Sequence, residues 1–154
     1  MSDTLPQSIH DMVLGSALID SALAPYPPDG TPALFQSRAP SDHAGHPYIV
    51  FKLDELAPSA EENDLKRIIT LQFDVWDLNE GHSYAGIQPI IRELTEIFDK
   101  QRIEDTADYE AARSFLNGTS SMESPGEEDN KIQMMSLFTI LAYRKYMQTI
   151  LTSM

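Results

Sequence analysis

The sequence contains no cysteine. Disulfides, thiolate nucleophiles and cysteine-bearing metal sites are thereby excluded, and the composition fits a reducing compartment. Positive charge is scarce: 11 Lys and Arg stand against 24 Asp and Glu, a formal net charge of −13. That balance excludes a broad basic nucleic-acid surface. It suits a surface that DNA passes without sticking, because like charges repel. Long apolar runs are missing as well, and nothing approaches the ~18 consecutive apolar residues of a membrane-spanning helix. The N-terminal MSDTLPQS is acidic rather than basic, which speaks against a signal peptide. A soluble chain made inside the cell is the expectation. No solenoid-length repeat, P-loop, GxGxxG, HExxH or GxSxG occurs. DGTP at 29–32 and NGTS at 117–120 lack the glycine and lysine pattern of a phosphate cradle. NGTS also matches a glycosylation acceptor, a match with little meaning where no leader is recognised.

What is present is enough for one packed domain: 154 residues, 42% of them hydrophobic. Ile9, Met12, Val13, Ser16, Ile19 and Leu23 recur at helical spacing and predict a helix over 8–23. Ser8 and Asp11 resemble a capping box at its start, and Gly15 weakens its middle. Prolines and glycines between 24 and 47 predict a long connection, a working surface or mobile loop, with Leu34 and Phe35 pinning it to the body. HPYIVFKLDE, 46–55, reads as a strand. Residues 67–76 form the clearest strand: Ile69, Leu71, Phe73 and Val75 alternate with Thr70, Gln72 and Asp74. The two predict an antiparallel hairpin around a polar, acidic loop.

A second helix is expected over 83–100, with Ile87, Ile90, Ile91, Leu94, Ile97 and Phe98 buried. Pro89 requires that it start late or bend, and Arg92 and Glu96 are spaced to pair on its wet face. Residues 109–116 suit a short strand ending in a turn at Asn117 and Gly118. A flexible loop is expected over 119–130. Residues 131–146 are apolar on nearly all sides and fit helix and strand equally well. The tail from 147 to 154 is packed or frayed. The resulting expectation is α+β: a single domain whose mainly antiparallel four-stranded sheet has two helices packed on one face. Its core covers about 8–146, with long flexible loops over about 24–46, 56–66 and 119–130.

Few side chains invite chemistry. His43 and His46, beside Asp42, have a spacing that could serve a metal only on a helix, and Gly45 and Pro47 make an ordinary loop the better reading. His10 and His82 read as boundary residues or caps rather than bases. Asp74, Asp77 and Glu80 offer carboxylates for a small hydrolase with His82, but solvation and capping explain them more simply. Lys66–Arg67, Lys100–Arg102 and Arg144–Lys145 are scattered pairs, not a patch. Phe51, Phe73 and Trp76 are expected in a core rather than on a base-stacking platform. No catalytic, cofactor-binding or metal-ligating residue is therefore assigned. Long acidic loops, free sheet edges and an over-apolar last segment favour a protein that binds proteins.

The order of these features resembles the tail-completion, or tail-terminator, proteins of long-tailed bacteriophages. It rests on the N-terminal helix, the proline-containing lead into HPYIVFKLDE, the strand RIITLQFDVWDLNEGHSYAG running into the helix IQPIIRELTEIFD, and SLFTILAYRKY after a polar loop. Val75, Trp76 and Ala85 match the family's strand-end pair and the Ala near the start of the helix that follows a short turn. The long acidic 119–130 segment and Pro89 depart from it. The resemblance covers roughly 8–146 and implies a non-enzymatic virion protein with no cofactor. It implies a homo-hexameric ring that caps the tail tube, stops its polymerisation and offers a joining surface to the head-side connector. DNA would pass through the lumen without sequence-specific binding, and no membrane would be involved. The place would be the tail–neck region of the virion, after assembly in the host cytoplasm. The resemblance also implies that SLFTILAYRKY is a strand. Asp54, Glu55, Glu61, Glu62 and Asp64 are then the candidates to line the lumen. A head–tail connector or stopper, or a tube-capping adaptor of a contractile machine, is the neighbouring possibility.

Overall fold

The computed structural model describes residues 4–26, 30–40, 45–56, 65–79, 81, 83–123 and 131–145. Three helices, α1 (Leu5–Leu14), α2 (Ala17–Ala22) and α3 (Gln88–Phe98), pack on one side of a sheet. The strands are β1 (Pro25–Tyr26), β2 (Thr31–Pro32), β3 (Leu34–Gln36), β4 (Tyr48–Leu56), β5 (Lys66–Leu78), β6 (Gln101–Ile103), β7 (Tyr109–Glu123) and β8 (Lys131–Arg144). β1 and β2 form a small antiparallel pair, and the main sheet has six strands in the order β3-β4-β5-β8-β7-β6. Its pairings are antiparallel except β3 with β4. The α+β class and the helices on one face agree with the sequence. The four-stranded, two-helix count does not: β3 and β6, three residues each, extend both edges, and the N-terminal helix is two.

That helix divides where its sequence is weakest. Gly15 closes α1, its N–H bonding to Asp11 O at 2.8 Å. Ser16 then turns to extended backbone, and its hydroxyl accepts from Ile19 N at the start of α2. Such an N-cap is worth about 1 kcal/mol. The expected capping box at Ser8 and Asp11 is not used, because α1 begins earlier, with Pro6 in its first turn. Its Leu5 N–H donates instead to Asp108 Oδ1 at 2.9 Å, a carboxylate from the β6–β7 connection. α3 starts late, with Pro89 in the first turn where its missing N–H costs nothing. The Arg92–Glu96 ion pair does not form among the described residues.

The core lies between helices and sheet. Ile9, Val13 and Ile19 from α1 and α2, and Ile90, Leu94 and Phe98 from α3, meet Ile49, Phe51, Leu71, Phe73, Val75, Phe138 and Ile140. Phe73 is its hub, with ring centroids 6.1 Å from Phe51, 5.3 Å from Phe98 and 5.9 Å from Phe138. Phe98 and Phe138 close the triangle at 5.7 Å. The segment 131–144 is settled as a strand, paired with β5 and β7 along both sides. Asn117 and Gly118 do not make a turn. β7 runs on to Glu123 with a register shift between Leu116 and Gly118, and the Asn117 amide donates to the Thr139 hydroxyl across the ladder. The strand also ends the expected loop over 119–123; 124–130 lies outside the described residues, as does the tail.

Truncating the hub tests this packing. Phe73→Ala is expected to lower unfolding free energy by about 3–5 kcal/mol, whereas Leu78→Ala at the exposed end of β5 stays within about 0.5 kcal/mol, both measured by urea denaturation.

Candidate interaction surface

Because successive strand residues point to opposite faces, the sheet has a second face, free of helices among the described residues, whose makeup is set by register. At one end that face is sealed. Tyr48, Val50 and Ala33 are buried there with Phe35, Ala39 and Trp76 against them. Trp76 stacks on Tyr48 at 6.3 Å and 15°, and the Lys131 ammonium lies 5.6 Å from the Tyr48 centroid. Phe51 and Phe73 are in the main core, as expected, but Trp76 belongs to this second cluster. His46 packs against Tyr48 at 5.4 Å, while His43 and Asp42 lie outside the described residues. Among the described residues no three His, Asp or Glu side chains are grouped to hold a metal.

The middle of the face is polar. Asp74 is only 4% exposed, so it is buried rather than solvated. Its carboxylate accepts from Gln72 Nε2 at 3.0 Å and from Gln133 Nε2 at 2.7 Å, with Lys52 Nζ at 4.0 Å. Asp77 leaves the opposite face of β5. Its Oδ1 accepts from Leu78 N at 2.8 Å, and a Cβ at Gly86 would fall 2.8 Å from its Oδ2. The two carboxylates face apart and form no acid–base pair; Glu80 and His82 lie outside the described residues. His10, on α1, is partly exposed, with its Nδ1 3.7 Å from Asp11 Oδ1.

Among the described residues, the far end of the face is apolar and partly exposed. Register places Leu56, Ile68 and Leu141 side by side across β4, β5 and β8, with Phe115 and Tyr143 on the adjoining positions. Leu56 is 61% exposed, Leu141 40% and Phe115 37%. Neighbouring apolar side chains left in water on one face mark an interaction surface rather than a solvated one. Charge on this face departs from that of the chain. Lys52, Lys66, Arg102, Arg113 and Lys131 project from it, against Asp54, Glu110 and the already bonded Asp74. Beside it, β6 pairs with β7 only as far as Ser114. The next N–H, of Leu116, donates to Asp99 Oδ1 at 2.9 Å. Beyond it, no described strand pairs with the outer edge of β7, and 117–121 is exposed.

The opposite, helix-side face carries a charged knot that the sequence did not disclose. Glu55 accepts from the Tyr109 hydroxyl and lies 3.8 Å from Arg67 Nε and 3.7 Å from Arg144 Nη1. Of the acidic group expected to act together, Glu55 is thus engaged within the fold, Asp54 points to the other face, and Glu61, Glu62 and Asp64 lie outside the described residues. Among the described residues no helix is long and apolar enough to cross a membrane.

No protein-family model matches the chain. No curated protein matches it. Its fold is similar to that of a chain in the solved structure "Virion of native gene transfer agent (GTA) particle", at 10% sequence identity and a TM-score of 0.65. The likeness covers 91% of this chain and 95% of that one.

Burial, then the Glu55 hydrogen bond and charge, hold the Tyr109 hydroxyl above its ordinary value. A raised folded-state value means that the stabilisation is complete below the unfolded tyrosine pKa of about 10 and is lost as pH rises beyond it. Unfolding free energy measured against pH is expected to fall above about pH 10, and less steeply in Tyr109→Phe.

Proposed function

We propose that this chain is a structural subunit of a phage-like particle, a tail-terminator protein that assembles as a ring on the finished tail tube. One face of the ring docks on the last tube subunits, and the other offers the head-side connector a joining surface without allowing the tube to grow. Heterologous contacts between identical subunits close by rotation into such a ring. The apolar row of Leu56, Ile68 and Leu141, with Leu56 and Leu141 exposed among the described residues, carries the reading. It is an assembly surface on a fold similar to that of a virion chain over nearly the whole length of both. The resemblance in sequence pattern to tail-completion proteins supplies the position at the tube end. The chain's negative charge supports passage of DNA through the hole without adhesion. The Asp74–Gln72–Gln133 network is structural, and no step of covalent chemistry is part of the function.

Negative-stain imaging of the purified protein, alone and with isolated tail tubes, checks this. Closed rings and density at one end of each tube are expected. Binding to portal complexes in preference to tubes would instead make the chain a connector or stopper, and neither ring nor binding would remove the proposal.

A further inference from the structure

The main sheet joins two antiparallel pairs of consecutive strands, β4–β5 and β7–β8, along a seam where β5 meets β8. No turn connects the strands of that seam: Leu78 and Lys131, paired at one end of it, are separated in the chain by α3, β6 and β7. Its register therefore rests on side chains rather than on turn geometry. A shift by one residue would turn the buried stripe of one strand outward. A shift by two keeps every side chain on its own face. In one direction the core also tolerates it. Phe73, Leu71 and Ile69 would stand opposite Phe138, Ile140 and Ala142 in place of Ser136, Phe138 and Ile140, with no charge brought inside.

The other face does not tolerate it. Asp74 is 4% exposed and accepts from Gln133 Nε2 across the seam at 2.7 Å, and from Gln72 Nε2 on its own strand at 3.0 Å. The same shift would set Asp74 opposite Leu137 in place of Met135, and Gln133 opposite Leu78 in place of Trp76. Gln133 would then lie about 13 Å along the strand from the carboxylate. Lys52 Nζ, on β4, stays 4.0 Å from Oδ2 and does not replace the lost donor. A buried charge that loses a hydrogen bond is costly.

We propose that Asp74 is a register lock: its bond to Gln133 admits one alignment of β5 with β8 and rejects the two-residue shift that the core would accept. Fixing a register is the best-attested role of a buried polar group. The lock also composes the outer surface. In the observed alignment Leu141 stands opposite Ile68 in the apolar row, and the shift would put Tyr143 there.

A chain without cysteine allows the alignment to be trapped by disulfides. Three double variants share Ile68→Cys. Leu141→Cys reports the observed alignment, Tyr143→Cys the rejected shift and Thr139→Cys the shift the other way. Directly opposed Cβ atoms lie about 4.5–5.5 Å apart and diagonal ones farther, whereas a disulfide needs about 3.5–4.5 Å, so the opposed pair closes first. Each pair is oxidised in dilute solution in the wild-type and Asp74→Leu backgrounds, after circular dichroism confirms folding, and linked peptides are quantified by mass spectrometry. The wild type is expected to form the 68–141 bridge. In Asp74→Leu the yield of the 68–143 bridge rises on the order of tenfold, and the 68–139 bridge stays at background. Thermal melting is no lower than in the wild type, because a leucine between Val50 and Met135 is buried without a charge. Asp74→Asn, whose amide oxygen still accepts from Gln133, keeps the wild-type pattern. If Asp74→Leu does not fold, Gln133→Leu removes the cross-seam donor and takes its place with the same expected bridges. Bridging that stays at 68–141 in the leucine variant means that core packing aligns the seam, and overturns the proposal. An equal rise at 139 and 143 overturns it too, because the lock acts in one direction. A lower melting temperature with unchanged bridges makes Asp74 a stabilising group without a role in register, and also overturns it.

Discussion

Phe73, Phe98 and Phe138 decide which side of the sheet is covered. The three rings are mutually in contact, one from the end of α3 and one from each of the two central strands, all fully buried. Aromatic pairs add about 0.5–1.5 kcal/mol each beyond the area they bury. They hold α3 down, and α3 in turn gives α1 and α2 something to pack against. With three helices committed to one face, the short β1–β3 lead is what shields the opposite face among the described residues. That lead reaches Tyr48, Val50 and Trp76 and no further. The exposed row at the far end is a direct outcome of where the rings sit.

Much of this is legible in the residues. Period-two alternation in β5 and the stripe of α3 are strong signals, and both elements appear within a few residues of the expected positions. The errors share physical causes. Gly15 and Ser16 carry a break that apolar spacing bridges. Asn117 and Gly118 have turn chemistry, but pairing with β8 on one side stretches them into an irregular strand. β3 and β6 are too short to have a pattern of their own. β8 is ambiguous because Leu137 and Leu141 are apolar on the outward face, where a solvated strand would carry polar residues. That ambiguity was itself a mark of the surface. Periodicity failed at the place where burial within the subunit and contact outside it overlap.

The charges behave similarly. Lys66, Arg67, Arg113 and Arg144 look dispersed along the chain. Register sends Arg67 and Arg144 to Glu55 on the helix side, and Lys66 and Arg113 to the other face. The adjacent pair Lys66–Arg67 is thus split between two layers by one residue of alternation. Only a known ladder could show which cations are spent inside the fold and which remain available outside it.

The brevity of β6 has one further consequence. Among the described residues it leaves the latter half of β7 held from one side, with backbone groups that a passing strand could bind. Natural sheets often guard such edges with lysine or proline, and 115–123 contains neither. What guards this one is global rather than local: an excess of negative charge opposes indiscriminate edge-to-edge pairing of copies. Solubility of the lone subunit is therefore an electrostatic state. Neutralising its carboxylates by acid would remove that protection together with the charge on Asp108, Asp74 and Glu55, whose bonds hold α1, the sheet face and the edge of the core in place.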